Sequence, residues 1–587
     1  MICSLVVNII TAQWVSNPSV NTLLAGPDTN YAYGEMIANP YDSSYYLLYY
    51  KSLLPDPHFQ LCMQKVDYRG YKKWGDDGVL ISAESYKTWV SKVTLISDLD
   101  TCLYVAYTKS QLSLGPTDTL MSIFVNRVTT GGIKLWGEEG IQISDTLDTG
   151  SFNPSMLYTD DQNLVLGYES VDTEGTPVGN MVDYKLKKIS PSGNILWQYI
   201  LPRDSNQLNW GGSLHQLTDG NIMLIYRQVN IDFDNQIFSQ SLYTQKFDPA
   251  GNTLFPQPKH ILTYADYYGD YPMTPVHVES NLQDGFYIGV SYDEGALKIQ
   301  TFIQQIDSDA NTLFTEPVAL VPDSLDDLDR SYYNMRYLPG SNELLIIWLE
   351  KRYGHGVLND EAILGQKITS AGQRVWPDSG KIFYPRISMM DSLYGYINLK
   401  KSGTDETVLF FMKNYLEGDS VIYSFANKYD TDGNSVWGKT ILLSSLSGKN
   451  IGLSATDKMC DQWVAWWQNK NKLDTAGYSR LFGQNIFADG AIGLGFEDFV
   501  LPRTSLKVYP NPASSTLTLD LNLRVPSDLQ ISLWNTMGQK IHHWSYSGIP
   551  GGYSKIQLDI TKIPDGAYIL TTSTPKGSIN LKVVIFR

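Results

Sequence analysis

The chain has 587 residues, 43% of them hydrophobic and 18% charged, a composition that supplies a substantial core and argues against wholesale disorder. Its net charge of −16 repels phosphate backbones and argues against nucleic acid as a partner. Four cysteines, Cys3, Cys62, Cys102 and Cys460, stand far apart with no Cys-x-x-Cys, which argues against a disulfide scaffold or a zinc site. The last three are expected in strands as small hydrophobes.

Residues 1–12 (MICSLVVNIITA) have the apolar core and small-residue end of a secretory signal peptide without its positive n-region, the pattern of a partial leader. No other run is apolar over the ~20 residues a span requires, so no transmembrane segment is expected in the mature protein.

From there to about residue 500 the chain is repetitive. A pattern of polar pair, apolar residue, turn, Gly and large aromatic ends at Trp74, Trp136, Trp197, Phe255, Phe314, Trp376 and Trp437, at intervals of about sixty residues. A degenerate copy, QNIFADGAIGL, ends at Leu494. Each unit holds short β-type runs separated by Gly, Asp, Asn and Pro turns, such as SQSLYTQKFD (239–248) and NELLIIW (342–348). Four strands per unit predict an all-β fold, a β-propeller over residues 13–500. The recurring aromatic is expected to pack between neighbouring sheets, because every unit has the same gap to fill. Residues 12–25 carry Trp14, one repeat length before Trp74, and resemble a fourth strand without its first three. They are expected to complete the last unit and close the ring, which removes exposed sheet edges. Counting aromatics gives about eight four-stranded blades, with seven as the alternative.

The loops between units, and between second and third strands, are rich in aromatics: Tyr86, Trp89, Trp210, Tyr264, Tyr267, Tyr268, Tyr271, Tyr332 and Tyr333. Rings on that face suit sugars or protein partners, although packing into blade edges would use the same residues. Asp323, Asp326, Asp327 and Asp329 crowd one loop, where calcium is a possible ligand and a solvated polar loop the simpler reading. No other cofactor is implied. The similar-looking Asp430-Thr431-Asp432-Gly433-Asn434 occupies the repeated hairpin turn, whose geometry explains it without metal.

From residue 501 to 587 the repeat gives way to alternating β segments at 505–521, 528–535, 554–560, 566–574 and 578–586, a small β-sandwich. Tyr509-Pro510-Asn511-Pro512, the Asn535–Gln539 turn with Gly538, Ile563-Pro564-Asp565-Gly566-Ala567-Tyr568, and the basic end at Lys582 and Arg587 follow in order. This segment resembles the type A C-terminal sorting domain of proteins exported by the type IX secretion system of Bacteroidetes. The resemblance implies export to the cell surface or medium, with the type IX machinery as a partner. The repeat part is more loosely similar to uncharacterised propellers that accompany such domains, which implies no activity.

Catalytic signatures are weak. None of the seven histidines lies in H-E-x-x-H, no G-x-S-x-G elbow has partners, and lone His215 suits a structural role. The aromatic comes four residues after Gly, not three as in sialidase Asp boxes, and Asp lies one residue closer than in quinoprotein propellers. The chain is therefore expected to be an exported binding module for glycan or protein rather than an enzyme. A polysaccharide-active enzyme with a site in the funnel and a structural or adhesive surface protein are the alternatives.

Overall fold

The computed structural model describes residues 14–25, 30–53, 58–85, 92–112, 119–145, 150–172, 181–232, 237–268, 276–293, 299–322, 328–354, 357–388, 392–415, 421–470, 479–493, 506–523, 527–535, 539–550, 552–574 and 577–586. The signal-like segment 1–12 lies outside them. Strand pairing gathers residues 22–487 into eight four-stranded antiparallel units: 30–85, 94–142, 150–200, 207–268, 276–319, 328–388, 393–444, and 449–487 with Thr22–Leu23. First strands of neighbouring units approach one another, so first strands lie innermost and fourth strands outermost. This is a β-propeller. Thr22 and Leu23 pair with Gly483 and Phe482, so the N-terminal segment supplies the fourth strand of the eighth unit.

Each residue of the repeat has a mechanical role. Its Gln or Asn pairs with the backbone of the aromatic, where the path to the fourth strand is too irregular for a ladder. Gln64 accepts from Trp74 N and donates to Gly75 O, Asn126 and Gln366 do the same around Trp136 and Trp376, and Gln304 accepts from Phe314 N and donates to Phe314 O. The following cation reaches the next unit's turn: Lys65 Nζ to Thr130 O at 3.0 Å, Lys188 Nζ to Pro249 O at 2.8 Å, Lys246 Nζ to Ser308 O at 3.1 Å. The turn Asp caps its own loop; Asp67 Oδ1 accepts from Arg69 N and Tyr71 N, and Asp430 Oδ1 from Asp432 N and Asn434 N.

The aromatic and the glycine meet across units. Trp136 Nε1 donates to Pro191 O, Trp197 Nε1 to Pro249 O and Trp437 Nε1 to Ala488 O, each in the next turn. The turn glycine lies flat against the same ring. Gly251 has φ +89°, and a Cβ there would stand 2.6 Å from Trp197. Only glycine meets both demands without strain. Trp14 closes the cycle on the first unit: it is fully buried, donates Nε1 to Tyr68 O at 2.9 Å, and packs against Gly70. In the degenerate last copy Gly493 leaves room for the incoming N-terminal chain, whose Val15 and Ser16 backbone occupies the space a side chain would need.

Apart from Trp197, the repeated aromatics from Trp74 to Trp437 sit in a bend just before the fourth strand. Two details differ from the sequence reading. Cys62 and Cys102 are buried in strands, but half-buried Cys460 lies in a turn at φ 50°. The C-terminal domain has a further strand, Lys540–Ile549, an exposed edge whose weak apolar alternation hid it. That domain is a sandwich of a three-stranded and a four-stranded sheet, with Leu517, Leu519, Leu521, Leu529, Ile531 and Leu570 among its buried core residues.

Candidate functional site

Among the described residues, six first strands carry a β-bulge at the same place, with register shifts at Ala32/Glu35, Phe152/Ser155, Trp210/Ser213, Asp329/Tyr332, Tyr394/Ile397 and Ile451/Ser454. A bulge re-aims side chains and is enriched beside functional sites. These bulges face the channel, toward the end where the loops between units and the second-to-third-strand loops emerge.

In the sixth unit (328–388) the bulge exposes Tyr332, 43% accessible, with Lys351 Nζ 4.4 Å from its ring centroid. A cation over the ring face is a cation–π pair. Asp329 is paired in register with Lys351, and Lys351 with Glu361, on the same side of the sheet. The Tyr353 phenol is raised, by burial first and then by the charges of Asp329 and Glu361. Behind this face the buried Arg330 donates Nε to Glu350 Oε2 at 3.0 Å and Nη1 to Gln300 Oε1 at 3.1 Å. Arg386 bridges Glu350 Oε1 at 2.7 Å and Asp360 Oδ1 at 2.6 Å. The Arg–Glu–Arg–Asp chain stiffens the strand that carries Tyr332; such pairs serve register more than net stability.

The other expected ligand-face aromatics fare differently. Tyr333 is buried and packs on His277 at 4.6 Å, filling the space over Gly289. Half-buried Trp210 packs in an apolar cluster with Val182, Leu208 and Val229 between the third and fourth units. Tyr264, Tyr267 and Tyr268 lie in the strand Lys259–Tyr268, with their side chains outside the described residues. Tyr86, Trp89 and Tyr271 lie outside them altogether, as do Asp323, Asp326 and Asp327. Among the described residues no three His, Cys, Asp or Glu side chains converge to hold a metal ion.

Among the described residues four carboxyls are raised by burial, Glu35 up to about 7 and Glu169, Glu279 and Glu361 in direction. Raised carboxyls ordinarily mark catalytic sites. Here each accepts a backbone N–H from the next unit: Leu95 N to Glu35 Oε2 at 2.7 Å, Gly211 N to Glu169 Oε1 at 2.9 Å, Tyr337 N to Glu279 Oε1 at 2.9 Å, and Leu393 N to Glu361 Oε2. Sequence reasoning missed this set, since no local motif marks it. Burial pushes His215 down to about 4; its Nε2 pairs with Ser213 Oγ at 2.8 Å and its ring lies 4.8 Å from Phe286. That neutral, packed histidine is structural.

In the C-terminal sandwich the opening motif holds the last strand. Asn511 Nδ2 donates to Lys582 O at 2.9 Å and Asn511 Oδ1 accepts from Val584 N at 2.8 Å. Ala513 N donates to Val584 O, and Phe586 N to Ala513 O. Tyr568 is buried and donates to Pro564 O at 2.8 Å, while Tyr509 stays exposed. Gly538 lies outside the described residues.

Fold and terminal motifs together define a β-propeller carrying a carboxy-terminal sorting sandwich. Residues 507–586 match the family described as the secretion system C-terminal sorting domain. The chain is therefore exported, to be secreted or attached at the cell surface, and its terminal domain implies interaction with the type IX secretion machinery. No helix among the described residues is long and apolar enough to cross a membrane. No curated protein matches the chain. Similar solved structures include a protein of unknown function from Dyadobacter fermentans DSM 18053, at 12% identity over 60% of this chain and 98% of that one, TM-score 0.33. A family PL25 ulvan lyase is similar at 10% identity over 69% and 94%, TM-score 0.39. A Penicillium chrysogenum α-L-arabinanase complexed with arabinobiose is similar at 12% identity over 58% and 93%, TM-score 0.30.

Proposed function

We propose that this exported propeller is a non-catalytic glycan-binding module whose ligand rests at the loop end of the sixth unit. The observation that carries the reading is the exposed Tyr332 ring beside the Lys351 ammonium, on a strand braced by the Arg330–Glu350–Arg386 chain. A sugar stacks its apolar face on such a ring, and the ammonium donates to its hydroxyl or carboxylate oxygens. The raised carboxyls support binding over catalysis, because a carboxyl already accepting a neighbouring unit's N–H is poorly placed to move a substrate proton.

The test is a polysaccharide screen on the full chain that scores retention and product release together. Retention without products is expected, weakened at least about tenfold by Tyr332→Ala, the scale of one lost stacking contact. Retention that ignores Tyr332→Ala would overturn the assignment of the site. Product release would select a catalytic alternative, for which Asp329, Tyr353 and Lys351 at the same end of the unit supply ionisable groups. Silence in both readouts would point to a structural or adhesive protein.

A further inference from the structure

At the opposite end of the channel, three consecutive units shape a cavity of about 510 Å³. Arg336 and Lys401 come from the ends of the first strands of the sixth and seventh units; Thr404 comes from the seventh unit's first turn, and Asp457 and Lys458 from that of the eighth. The volume lies in the range of small-ligand sites. In a chain of net charge −16, this lining carries three cations and one carboxylate. A concave wall of one sign focuses field and concentrates the opposite charge.

The neighbouring carboxylates leave these cations available. Glu279 stands 3.7 Å from Arg336 Nη1 and already accepts Tyr337 N. Asp457, 83% exposed, pairs at 3.5 Å with Lys400, which is not part of the lining. Lys458 pairs with Asp461 at 2.7 Å in a partly exposed contact of the kind worth little in water. Lys401 lies within electrostatic reach of the Glu279 carboxyl, which it helps to lower, but among the described residues forms no close ion pair.

We propose that this pocket binds a ligand bearing an oxyanion, a carboxylated or sulfated sugar of one or two rings. Guanidinium and ammonium groups would hold the anion, and the Thr404 hydroxyl and Asp457 carboxylate would take sugar hydroxyls. The site is separate from the Tyr332 platform and does not rest on it.

Calorimetry on the full chain with glucuronate, glucose 6-sulfate and glucose tests this, alongside Lys401→Gln, Lys458→Gln and Tyr332→Ala. Expected is saturable binding of at least one anionic sugar that weakens with added salt, no binding of glucose to this pocket, and a loss of at least about tenfold in Lys401→Gln, the scale of a charge-assisted hydrogen bond. The preferred anion tells carboxylate from sulfate. Tyr332→Ala should leave this binding unchanged, so failure here and failure of the platform are distinguishable. Absence of saturable binding by both anions, or affinities that neither lysine substitution alters, overturns the proposal.

Discussion

Glu35 offers the sharpest test of how the channel wall is held. Its carboxyl is raised from 4.5 to about 7, chiefly by burial, with Leu95 N, Lys92 and Lys400 pulling the other way. Between those two pH values the folded chain binds a proton that the unfolded chain does not, so this group's contribution falls as pH rises through the window. A shift of that size corresponds to about 3 kcal/mol, less to the extent that channel water reaches the group. Glu35→Gln keeps an acceptor for Leu95 N and cannot ionise. The variant should match the wild type near pH 4, gain on it between pH 5 and 7, and exceed it by up to about 3 kcal/mol at pH 8.

Unfolding entropy of a ring this large, at about 2 cal/mol/K per residue, makes that gain a shift of only about 3 °C in Tm. Denaturant midpoints of wild type and variant, compared across pH, are therefore the better assay. The difference between the two curves carries the signal, since every other titrating group is common to both. A difference that stays flat with pH, or a variant less stable than wild type at pH 8, would refute burial as the cause.

Trp14→Ala should cost about 3–5 kcal/mol, read as a lowered propeller transition, because it empties a fully buried site at ring closure. Gly251→Ala should destabilise by at least about 1–2 kcal/mol from its positive φ, with a further cost from Trp197; combining it with Trp197→Ala should cost less than the sum of the two. Glu350→Ala should cost about 3–5 kcal/mol in denaturant titration, since two arginines lose their shared carboxylate. Asn511→Ala, which removes two bonds to the last strand, should speed proteolysis of the C-terminal domain in the full chain while the propeller transition stays put.

The ring was legible because its repeat is mechanical. Gln64, Lys65, Asp67, Gly70 and Trp74 have counterparts that meet the same partner types in several other units, so similar residues return about every sixty positions. Trp14 was recognisable for the same reason, standing one repeat length ahead of its neighbour. The terminal sandwich was legible through ordered motifs, and Asn511 shows one physical cause: its side chain does the work of a strand neighbour. The platform was half legible. Tyr332 and Tyr333 are adjacent in sequence, yet only one is exposed, because the bulge between Asp329 and Tyr332 sets which ring enters the seam. No local pattern reveals a bulge's register, and none could have assembled Arg336, Lys401 and Lys458 from three different units.

The raised carboxyls show why perturbation alone is a poor guide to chemistry in a propeller. Innermost strands of adjacent units lie side by side around the channel without a continuous ladder, so some of their N–H groups need another partner. A glutamate on one unit can span that gap, as Glu35, Glu169, Glu279 and Glu361 do. Spanning it buries the carboxyl, and burial raises it. The same geometry that closes the seam thus produces the signature of an active-site acid. A ligand-facing group should instead be half-exposed and anchored from behind, which among these residues describes Tyr332 and Lys351 rather than any of the four glutamates.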